Sequence, residues 1–339
     1  MDSNKLYILG ECYPNKEDLN RIVTNYLKHL DVDYEISQLY VGMKNIVYLI
    51  KYNCKKIVLK VAPINNETML TFENNNIEWE TKMLKLMESL NIPAPKLLLF
   101  DDSCSIYGAP YIFMTYLDGA QFQEVKKELP QLVINKIEEQ IGCICSKISK
   151  TNGTSFFLPF LPNCKIRDNY NLVMILFQTV TGDAKKKNIT IGDVSYDYIL
   201  KLISSFKNIL NMVTVPKLVN ADAWDGNIIV DNNGTIVGIV DFSDLYYCDE
   251  LMTLYFHNIN LDINKNFLKG YGKMSFTEDE LIRISIYRIF TLIKMIVEKE
   301  YKVEKDKLFK YEWLYDKFYI ELKKLNQYNE QLNKTNYIV

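Results

Sequence analysis

The sequence is poor in the residue types that carry several common kinds of chemistry. Among its 339 residues there are two histidines, His29 and His257, which lie in unrelated contexts. The seven cysteines are odd in number, and no two of them form a C-x-x-C pair. These absences exclude a Ser-His-Asp hydrolase site, histidine-rich metal chemistry, a disulfide framework and a cysteine-based zinc site. Such a composition suits a reducing cytoplasm.

Two further absences limit what the chain binds. No apolar run approaches the roughly eighteen residues that a membrane-spanning helix needs, and no basic segment precedes a long apolar stretch at the start of the sequence. The formal net charge is -2, so no overall field gathers nucleic acid or an anionic membrane surface. We therefore expect a cytoplasmic protein that binds neither nucleic acid nor membranes.

What is present is an ordinary globular composition, with 48% hydrophobic and 24% charged residues. A chain of 339 residues favours about two domains or lobes. A strand-rich pattern ends at Gly119 and a helical pattern follows it, without a repeat or a long linker. We therefore expect an α+β protein with an N-terminal lobe over 1–117 and a C-terminal lobe over 118–339, in close contact.

The N-terminal half alternates between two periodicities. Apolar residues at helical spacing predict helices over 15–30 and 77–90, and two prolines stop the second one. Turns at Gly42 and at Asn53-Cys54 separate the first three strands, so an antiparallel meander is expected there. Runs rich in β-branched and aromatic residues predict five strands in all, over 34–40, 45–52, 55–62, 96–100 and 110–117.

The C-terminal half is helical with one β-like interruption. Helical periodicity predicts long helices, among them 129–149 and 195–212. Within 218–242, two short apolar runs are hinged at Asn232-Asn233-Gly234, which is typical of a hairpin turn. This hairpin stands apart from its helical surroundings.

Three polar residues around the hairpin have the spacing of a phosphotransfer site. Asp222 and Asn227 are five positions apart ahead of it, and Asp241 follows its second apolar run. Protein kinases place a base and a magnesium ligand in H-R-D-x-x-x-x-N and a second ligand in D-F-G. The chemistry needs these residue types because Mg²⁺ prefers oxygen ligands and phosphoryl transfer depends on positioning and charge neutralisation.

The five-residue spacing alone is a weak signal, since Asn, Asp and Gly also form ordinary turns ahead of hairpins. Asp183 and Asn188 repeat the spacing in a lysine-rich stretch without a following strand, and we interpret that pair as surface polar residues. The order of the elements upstream is what favours the functional interpretation of Asp222.

The upstream strands supply a candidate nucleotide clamp. Lys60 ends the apolar run of the third strand, where the V-A-I-K lysine of a kinase lies, and Glu80 on the next helix is its expected partner. Glu78 is a rival for that pairing. A lone lysine on a strand can also be an ordinary solvated side chain. Its position on the third strand, ahead of the helix with Glu80, is what favours the interpretation as a nucleotide clamp.

Two weaker signals accompany the clamp. The turn over 41–45 has one glycine, so Gly42 and Asn45 form a poor phosphate loop, and a plain hairpin turn explains them equally well. Met114 and Tyr116 in the fifth strand are candidates to line the base pocket of a nucleotide. Ordinary core packing is the alternative for both.

Together these segments resemble the aminoglycoside phosphotransferases and choline-kinase-like enzymes. The segment 78–98 resembles the helix of that family and its P-x-P entry to the next strand, and 220–250 resembles its H-G-D-x-x-x-x-N and D-[FW] motifs. The resemblance spans about 34–257 and implies a two-lobed fold like that of the protein kinases.

The resemblance implies a kinase that uses Mg²⁺ and ATP or GTP to phosphorylate a hydroxyl group of a small molecule. It implies that Lys60 contacts the α- and β-phosphates and that Glu80 holds Lys60. It also implies that Asp222 accepts or orients the acceptor hydroxyl, and that Asn227 and Asp241 bind Mg²⁺.

The motif departs from the family pattern at its start and its end. Asn220 and Ala221 stand where the family has His-Gly, and Asp249-Glu250 stands where it often has Asp-Pro. An asparagine can replace the hydrogen bonds of the histidine that holds the loop, without its ring packing. The departures leave room for a noncatalytic nucleotide-binding pseudokinase, although the five residues of the clamp and the loop are all present.

The acceptor is open between an aminoglycoside or related antibiotic and a metabolite such as choline, a sugar or an amino alcohol. A cationic acceptor would suit a set of acidic residues in the C-terminal half, namely Asp244, Asp249, Glu250, Glu278, Asp279 and Glu280. The alternative is a solvated helix face, and Thr277 with Glu280 fits a capping box. Candidates for stacking on a sugar or an organic cation, with core packing as the alternative, are Trp224, Tyr246, Tyr247 and Trp313.

Overall fold

The structure is a computed structural model that describes residues 13–41, 45–64, 69–74, 76–258, 263–303, 308 and 310–336. The predicted phosphate-loop residue Gly42 lies outside this set. The described chain begins with helix α1 (Lys16–Leu27). Asn15 caps it, since its side chain accepts a hydrogen bond from the Asp18 amide while the Asp18 side chain accepts one from the Asn15 amide.

A five-stranded antiparallel sheet follows, made of β1 (Tyr34–Val41), β2 (Ile46–Tyr52), β3 (Lys55–Val61), β4 (Leu97–Asp101) and β5 (Tyr111–Thr115). The strands lie in the order β1-β2-β3-β5-β4. Asn53 and Cys54 join β2 to β3 with φ angles of 43° and 60°, which suits the tight turn of a two-residue hairpin. The α+β class and the N-terminal antiparallel sheet are confirmed.

The two faces of the sheet belong to different hydrophobic cores. Because side chains alternate along a strand, Ile57 and Leu59 of β3 face one side, where they pack with α1. Val58 faces the other side, where helix α2 (Asn76–Ser89) lies. The core on the α2 side is continuous with the core of the C-terminal helices.

The C-terminal part is mainly helical and contains two small sheets, with the strand orders β6-β8-β9 and β7-β10. Its helices are α3 (Phe122–Val125), α4 (Gln131–Ser149), α5 (Asn169–Lys186), α6 (Tyr196–Ser205), α7 (Lys207–Leu210), α8 (Lys265–Tyr271), α9 (Glu278–Lys302) and α10 (Trp313–Asn336). Its strands are β6 (Ala120–Gln121), β7 (Lys217–Asn220), β8 (Ile228–Val230), β9 (Ile236–Ile239) and β10 (Leu245–Cys248).

The predicted hairpin is β8 and β9. Gly234 takes a φ angle of 72° in its turn, and the side chain of Asp231 accepts hydrogen bonds from the amides of Asn233 and Thr235 at 2.9 and 2.8 Å. The hairpin pairs with β6, directly after Gly119. A Cβ atom at Gly119 would lie 2.5 Å from the carbonyl oxygen of Val230, so this close approach requires glycine.

Three features differ from the predictions. The helix predicted over 195–212 is interrupted at Phe206, where α6 ends and α7 follows. Strands β6, β7 and β10 were not predicted, because runs of two to four residues carry no clear periodicity. Asp183 is not a surface residue: its side chain is buried and accepts two hydrogen bonds from Thr71, whereas Asn188 is exposed. None of the described helices is both long enough and apolar enough to cross a bilayer.

Candidate active site

A cleft of about 860 Å³ is lined by residues from the five-stranded sheet and from the helical part. This volume lies within the range of pockets that bind small molecules. The cleft brings together every predicted site residue that the structure describes, namely Asn45, Lys60, Glu80, Met114, Tyr116, Asp222, Asn227 and Asp241.

Lys60 lies at the centre of the buried charges. It extends from β3, next to Val47 of β2 and Ile112 of β5. Its Nζ donates to Oε2 of Glu80 at 2.6 Å and to Oδ1 of Asp241 at 3.0 Å. Glu78, the rival partner, instead pairs with Lys82 at 2.7 Å on the exposed side of α2.

Burial and charge act against each other in this cluster. Burial lowers the pKa of Lys60, but the carboxylates of Asp241 and Glu80 outweigh burial, so its pKa is raised and it stays protonated. Burial raises the pKa of Glu80, while the Lys60 charge and a backbone hydrogen bond from Phe242 oppose that shift. Because one ammonium faces two carboxylates, the cluster has an excess of acidic groups.

The loop before the hairpin holds Asp222 and Asn227 together. Nδ2 of Asn227 donates to Oδ2 of Asp222 at 3.0 Å and to its backbone oxygen at 2.9 Å. At the start of the loop, the side chain of Asn220 accepts a hydrogen bond from the Asp222 amide at 3.0 Å. Asn220 thus supplies a loop-holding hydrogen bond at the position where the family has histidine.

Asp241 has a φ angle of 61°, in the left-handed region that few residues other than glycine adopt. Lys60 and the hydroxyl of Ser243 both donate to its Oδ1, the latter at 2.9 Å. One residue before it, the Val240 amide donates to the carbonyl oxygen of Asn227 at 2.9 Å. These contacts fix the backbone of Asp241 beside the loop that carries Asp222.

The donor atoms at this place fit a magnesium ion. In the described part of the chain no three His, Cys, Asp or Glu side chains gather into a metal cage. Mg²⁺ is usually held by one or two carboxylates together with substrate phosphates and water, so a full cage is not required. With its amide nitrogen directed to Asp222, Asn227 has its side-chain oxygen as the remaining donor, and Asp241 offers a carboxylate.

The sheet side of the cleft is apolar where a nucleotide base would lie. Val58 and Met114 are directly paired across β3 and β5, and both line the cleft on the face that carries Lys60. Val47 from β2 and Tyr116 after β5 extend the same surface. Buried Asn45 lies directly before the first residue of β2.

The sequence interpretation missed three residues in the cleft. Tyr40 of β1 lines it, and its pKa is raised by burial and then by the carboxylates of Asp241 and Asp222. Lys126, after α3, donates to Asp225 at 2.8 Å and to Glu138 at 3.0 Å. Nothing in the local sequence distinguishes these residues from ordinary surface side chains.

Lys294 of α9 is the third missed residue. Its Nζ donates to Oδ2 of Asp244 at 3.0 Å, and the backbone oxygen of Asp244 accepts from the Ala221 amide at 2.9 Å. Burial lowers the pKa of Lys294, but the carboxylates of Asp244 and its neighbours, Asp222 among them, raise it by more than burial lowers it. The net shift of this pKa is therefore upward. A buried ion pair therefore lies directly beside the loop.

Most of the acidic residues predicted for a cationic acceptor lie elsewhere. Only Asp244 of that set lines the cleft. Asp249 is buried against Arg283 at 2.8 Å, and Glu250 pairs with Lys217 at 2.9 Å. Glu280 forms the capping box of α9 with Thr277, as the alternative interpretation predicts. Among the four stacking candidates, the cleft includes Trp224 and Tyr246.

Residues 35–165 match the sequence profile of the phosphotransferase enzyme family. The predicted resemblance is confirmed. The matched residues include the five-stranded sheet except for its first residue, Tyr34, and they also include α2 and the Lys60–Glu80 pair. The match ends before the loop that carries Asp222. No curated protein sequence gives a significant match.

Solved structures of phosphotransferases share the fold over nearly the whole chain. The GDP complex of a variant of an aminoglycoside 2′-phosphotransferase-IIIa is 12% identical, covers 94% of this chain and 98% of its own, and has a TM-score of 0.59. A candidate fructosamine-3-kinase from Haemophilus somnus 129PT is 15% identical, covers 92% and 96%, and has a TM-score of 0.61. At such low identities, the likeness shows a common fold of the kinase-like phosphotransferases.

A third similar structure is a ternary complex. It contains a thermostable mutant of aminoglycoside phosphotransferase APH(4)-Ia together with ADP and hygromycin B. That protein is 13% identical to this chain, covers 90% of this chain and 98% of its own, and has a TM-score of 0.61.

Proposed function

We propose that this protein is a kinase that transfers the γ-phosphoryl group of ATP or GTP to a hydroxyl group of a small molecule. The observation that carries the proposal is the meeting of Lys60, Glu80 and Asp241 through one ammonium group, in the same cleft as Asp222 and Asn227. Nucleotides bound to kinase-like relatives, GDP and ADP, support a nucleotide donor.

In this proposal each residue acts on one part of the reaction. Lys60 binds the α- and β-phosphates, and Glu80 fixes the direction of its ammonium group. Asn227 and Asp241 would hold Mg²⁺, and a bound Mg²⁺ would neutralise charge on the phosphates. Asp222 accepts a hydrogen bond from the acceptor hydroxyl, orients its oxygen toward the γ-phosphorus atom and takes its proton as the new P–O bond forms. At the same time the bond from the γ-phosphorus atom to the bridging oxygen of the β-phosphate breaks, and the nucleoside diphosphate leaves with that oxygen.

The proposal assigns 1–117 to a nucleotide-binding lobe and 118–339 to a catalytic and acceptor-binding lobe. Strand β5 ends at Thr115, and β6 from Ala120 already pairs with β8 of the helical part. A boundary between these two strands separates β5, which pairs with β3 and β4, from β6, which pairs with β8.

An aminoglycoside or related antibiotic is the first candidate acceptor. Similar structures include kanamycin and hygromycin B complexes of aminoglycoside phosphotransferases. Besides the catalytic set, the cleft contains carboxylates that a polycation would contact, namely Glu124, Asp225, Asp244 and Glu298.

A less charged metabolite is the second candidate, and the ion pairs of the cleft favour it. Lys126 neutralises Asp225 at 2.8 Å, and Lys294 neutralises Asp244 at 3.0 Å. Lys299 lines the same cleft beside Glu298. With these partners in place, a sugar, choline or an amino alcohol meets less net negative charge than the carboxylates alone suggest.

A phosphotransfer screen tests the proposal. Purified protein is incubated with Mg²⁺ and radiolabelled ATP or GTP against aminoglycosides, simple sugars, choline and amino alcohols, with Asp222→Asn as the inactive control. Labelled product from one acceptor class, absent with the control, supports the kinase and identifies the class. Nucleotide binding without transfer to any acceptor or to water would indicate the noncatalytic alternative.

A further inference from the structure

The short segment 69–74 lies between β3 and α2, and part of it is buried against the C-terminal helices. We call it the clamp segment. Leu70 and Phe72 are buried in the core that includes residues of α5 and α9. The segment ends two positions before the described start of α2 at Asn76.

Its first polar anchor is Thr71. The backbone amide of Thr71 donates to Oδ2 of Asp183 at 2.6 Å, and its hydroxyl donates to Oδ1 at 2.6 Å. Asp183 belongs to α5 and is 5% exposed. Because both carboxylate oxygens are used by one residue 112 positions away, the contact defines orientation as well as distance.

Its second polar anchor is Glu73. Lys302 at the end of α9 donates to both carboxylate oxygens of Glu73, to Oε2 at 2.6 Å, and the side chains are 5% and 0% exposed. Oε2 also accepts a hydrogen bond from the Leu70 amide at 2.8 Å. A buried, hydrogen-bonded ion pair of this kind resists separation, since either charge alone would be left without water.

Helix α2 is fixed by the same surroundings. Nε1 of Trp79 donates to the carbonyl oxygen of Leu245 in β10 at 2.8 Å, and its ring packs 4.8 Å from that of Phe157. The next residue is Glu80, whose carboxylate holds Lys60. The position of Glu80 is therefore determined by contacts to the helical part and not by the sheet alone.

We propose that Thr71 and Glu73 are positioning residues that clamp α2 to the C-terminal helices and so hold the Lys60–Glu80 pair at Asp241. This inference rests on the proposed kinase function for its catalytic consequence. Its structural content stands independently of that function: α2 is rigid relative to α5 and α9 because the clamp segment joins them.

The test compares Glu73→Gln and Thr71→Val with Glu78→Gln. Glu73→Gln removes the negative charge that pairs with Lys302, and Thr71→Val removes one hydrogen bond at nearly constant volume. Glu78→Gln is the matched control, since Glu78 lies on the exposed side of α2 with its side chain 51% exposed. The measurements are hydrogen exchange of the α2 amides and kcat and KM for hydrolysis of Mg-ATP or Mg-GTP without an acceptor.

We expect faster exchange along α2 and a fall in kcat of roughly 2- to 30-fold in both clamp variants, with no change in the control. The double variant Glu73→Lys with Lys302→Glu should recover part of the loss. A merely structural role would lower the melting temperature of the clamp variants yet leave α2 exchange and kcat of the folded protein at wild-type values, and that outcome overturns the proposal. If the wild-type protein neither binds nor hydrolyses nucleotide, the kinase proposal fails. Hydrogen exchange of the α2 amides then still tests whether the clamp segment holds α2 to the C-terminal helices.

Discussion

The ammonium nitrogen of Lys60 lies 3.0 Å from Oδ1 of Asp241, across 181 positions of sequence. This contact joins the five-stranded sheet to the residue that follows β9 in the helical part. The same nitrogen lies 2.6 Å from Glu80 on α2. Three separate stretches of chain therefore meet at one buried positive charge, which suits a site that must align phosphates from both sides.

Asp241→Asn should weaken the binding of Mg-nucleotide by at least about tenfold, because a charged metal ligand is replaced by a neutral one. Affinity is measured by titration with a fluorescent nucleotide, with Mg²⁺ and again with a chelator. We expect the wild-type protein to lose affinity when Mg²⁺ is removed, and the variant to be insensitive to it. A variant that binds Mg-nucleotide as tightly as the wild type would count against the metal role of Asp241.

Asp222→Asn should lower turnover by about 10²- to 10⁴-fold, the contribution of a positioned base. The amide can still contact Asn227, so nucleotide affinity should change little. The control is Asp197→Asn, since the side chain of Asp197 is 86% exposed and its ion pair with Lys185 lies at the surface. Near-normal turnover in Asp222→Asn, measured with the acceptor from the screen, contradicts the assignment.

Lys294→Met should lower the free energy of unfolding by about 3–5 kcal/mol, because it leaves the Asp244 carboxylate buried without its charge partner. The two side chains are 16% and 4% exposed. Urea denaturation measures the loss, and Lys185→Met, which breaks an exposed pair, should change stability by less than about 1 kcal/mol. Adding Asp244→Asn to Lys294→Met should restore part of the stability, whereas a further loss would show that the carboxylate has other essential partners.

Stability should fall with acidification because of His257. Burial lowers the pKa of this imidazole to about 3, from an ordinary value of about 6.5. Below the pKa of the imidazole in the unfolded chain, the unfolded chain binds a proton that the folded protein does not bind. The contribution of His257 to the free energy of unfolding is therefore complete above about pH 6.5, and it is lost toward pH 3 at about 1.4 kcal/mol per pH unit.

Urea denaturation between about pH 7 and pH 5 checks this slope. His257→Gln should show a shallower dependence than the wild type, while His29→Gln, which changes the exposed second histidine, should follow the wild type. Equal slopes in the wild type and His257→Gln would mean that other groups cause the acid sensitivity.

Short-range patterns in the sequence predict the order of the N-terminal elements and name the side chains that the structure brings together in the cleft. Each prediction rests on a short-range rule: runs of strand-forming residues for β1 to β5, helical spacing for α1 and α2, and turn residues for the β8–β9 hairpin. The spacing from Asp222 to Asn227 and the position of Asp241 after the hairpin are likewise recognised from short stretches of sequence. Such patterns are readable because neighbours in sequence fix backbone geometry locally.

Which distant charges meet is visible only in the folded chain. Asp183, interpreted from sequence as a surface residue, anchors Thr71, and Asp249 is buried by Arg283 rather than exposed to an acceptor. Lys302 binds Glu73 across 229 positions, and Lys294 binds Asp244 across 50. Helical spacing shows which residues share a face of a helix. The element that covers that face, and with it the ionic partner of each buried charge, depends on how the whole chain packs, because only packing sets which charges are buried close together.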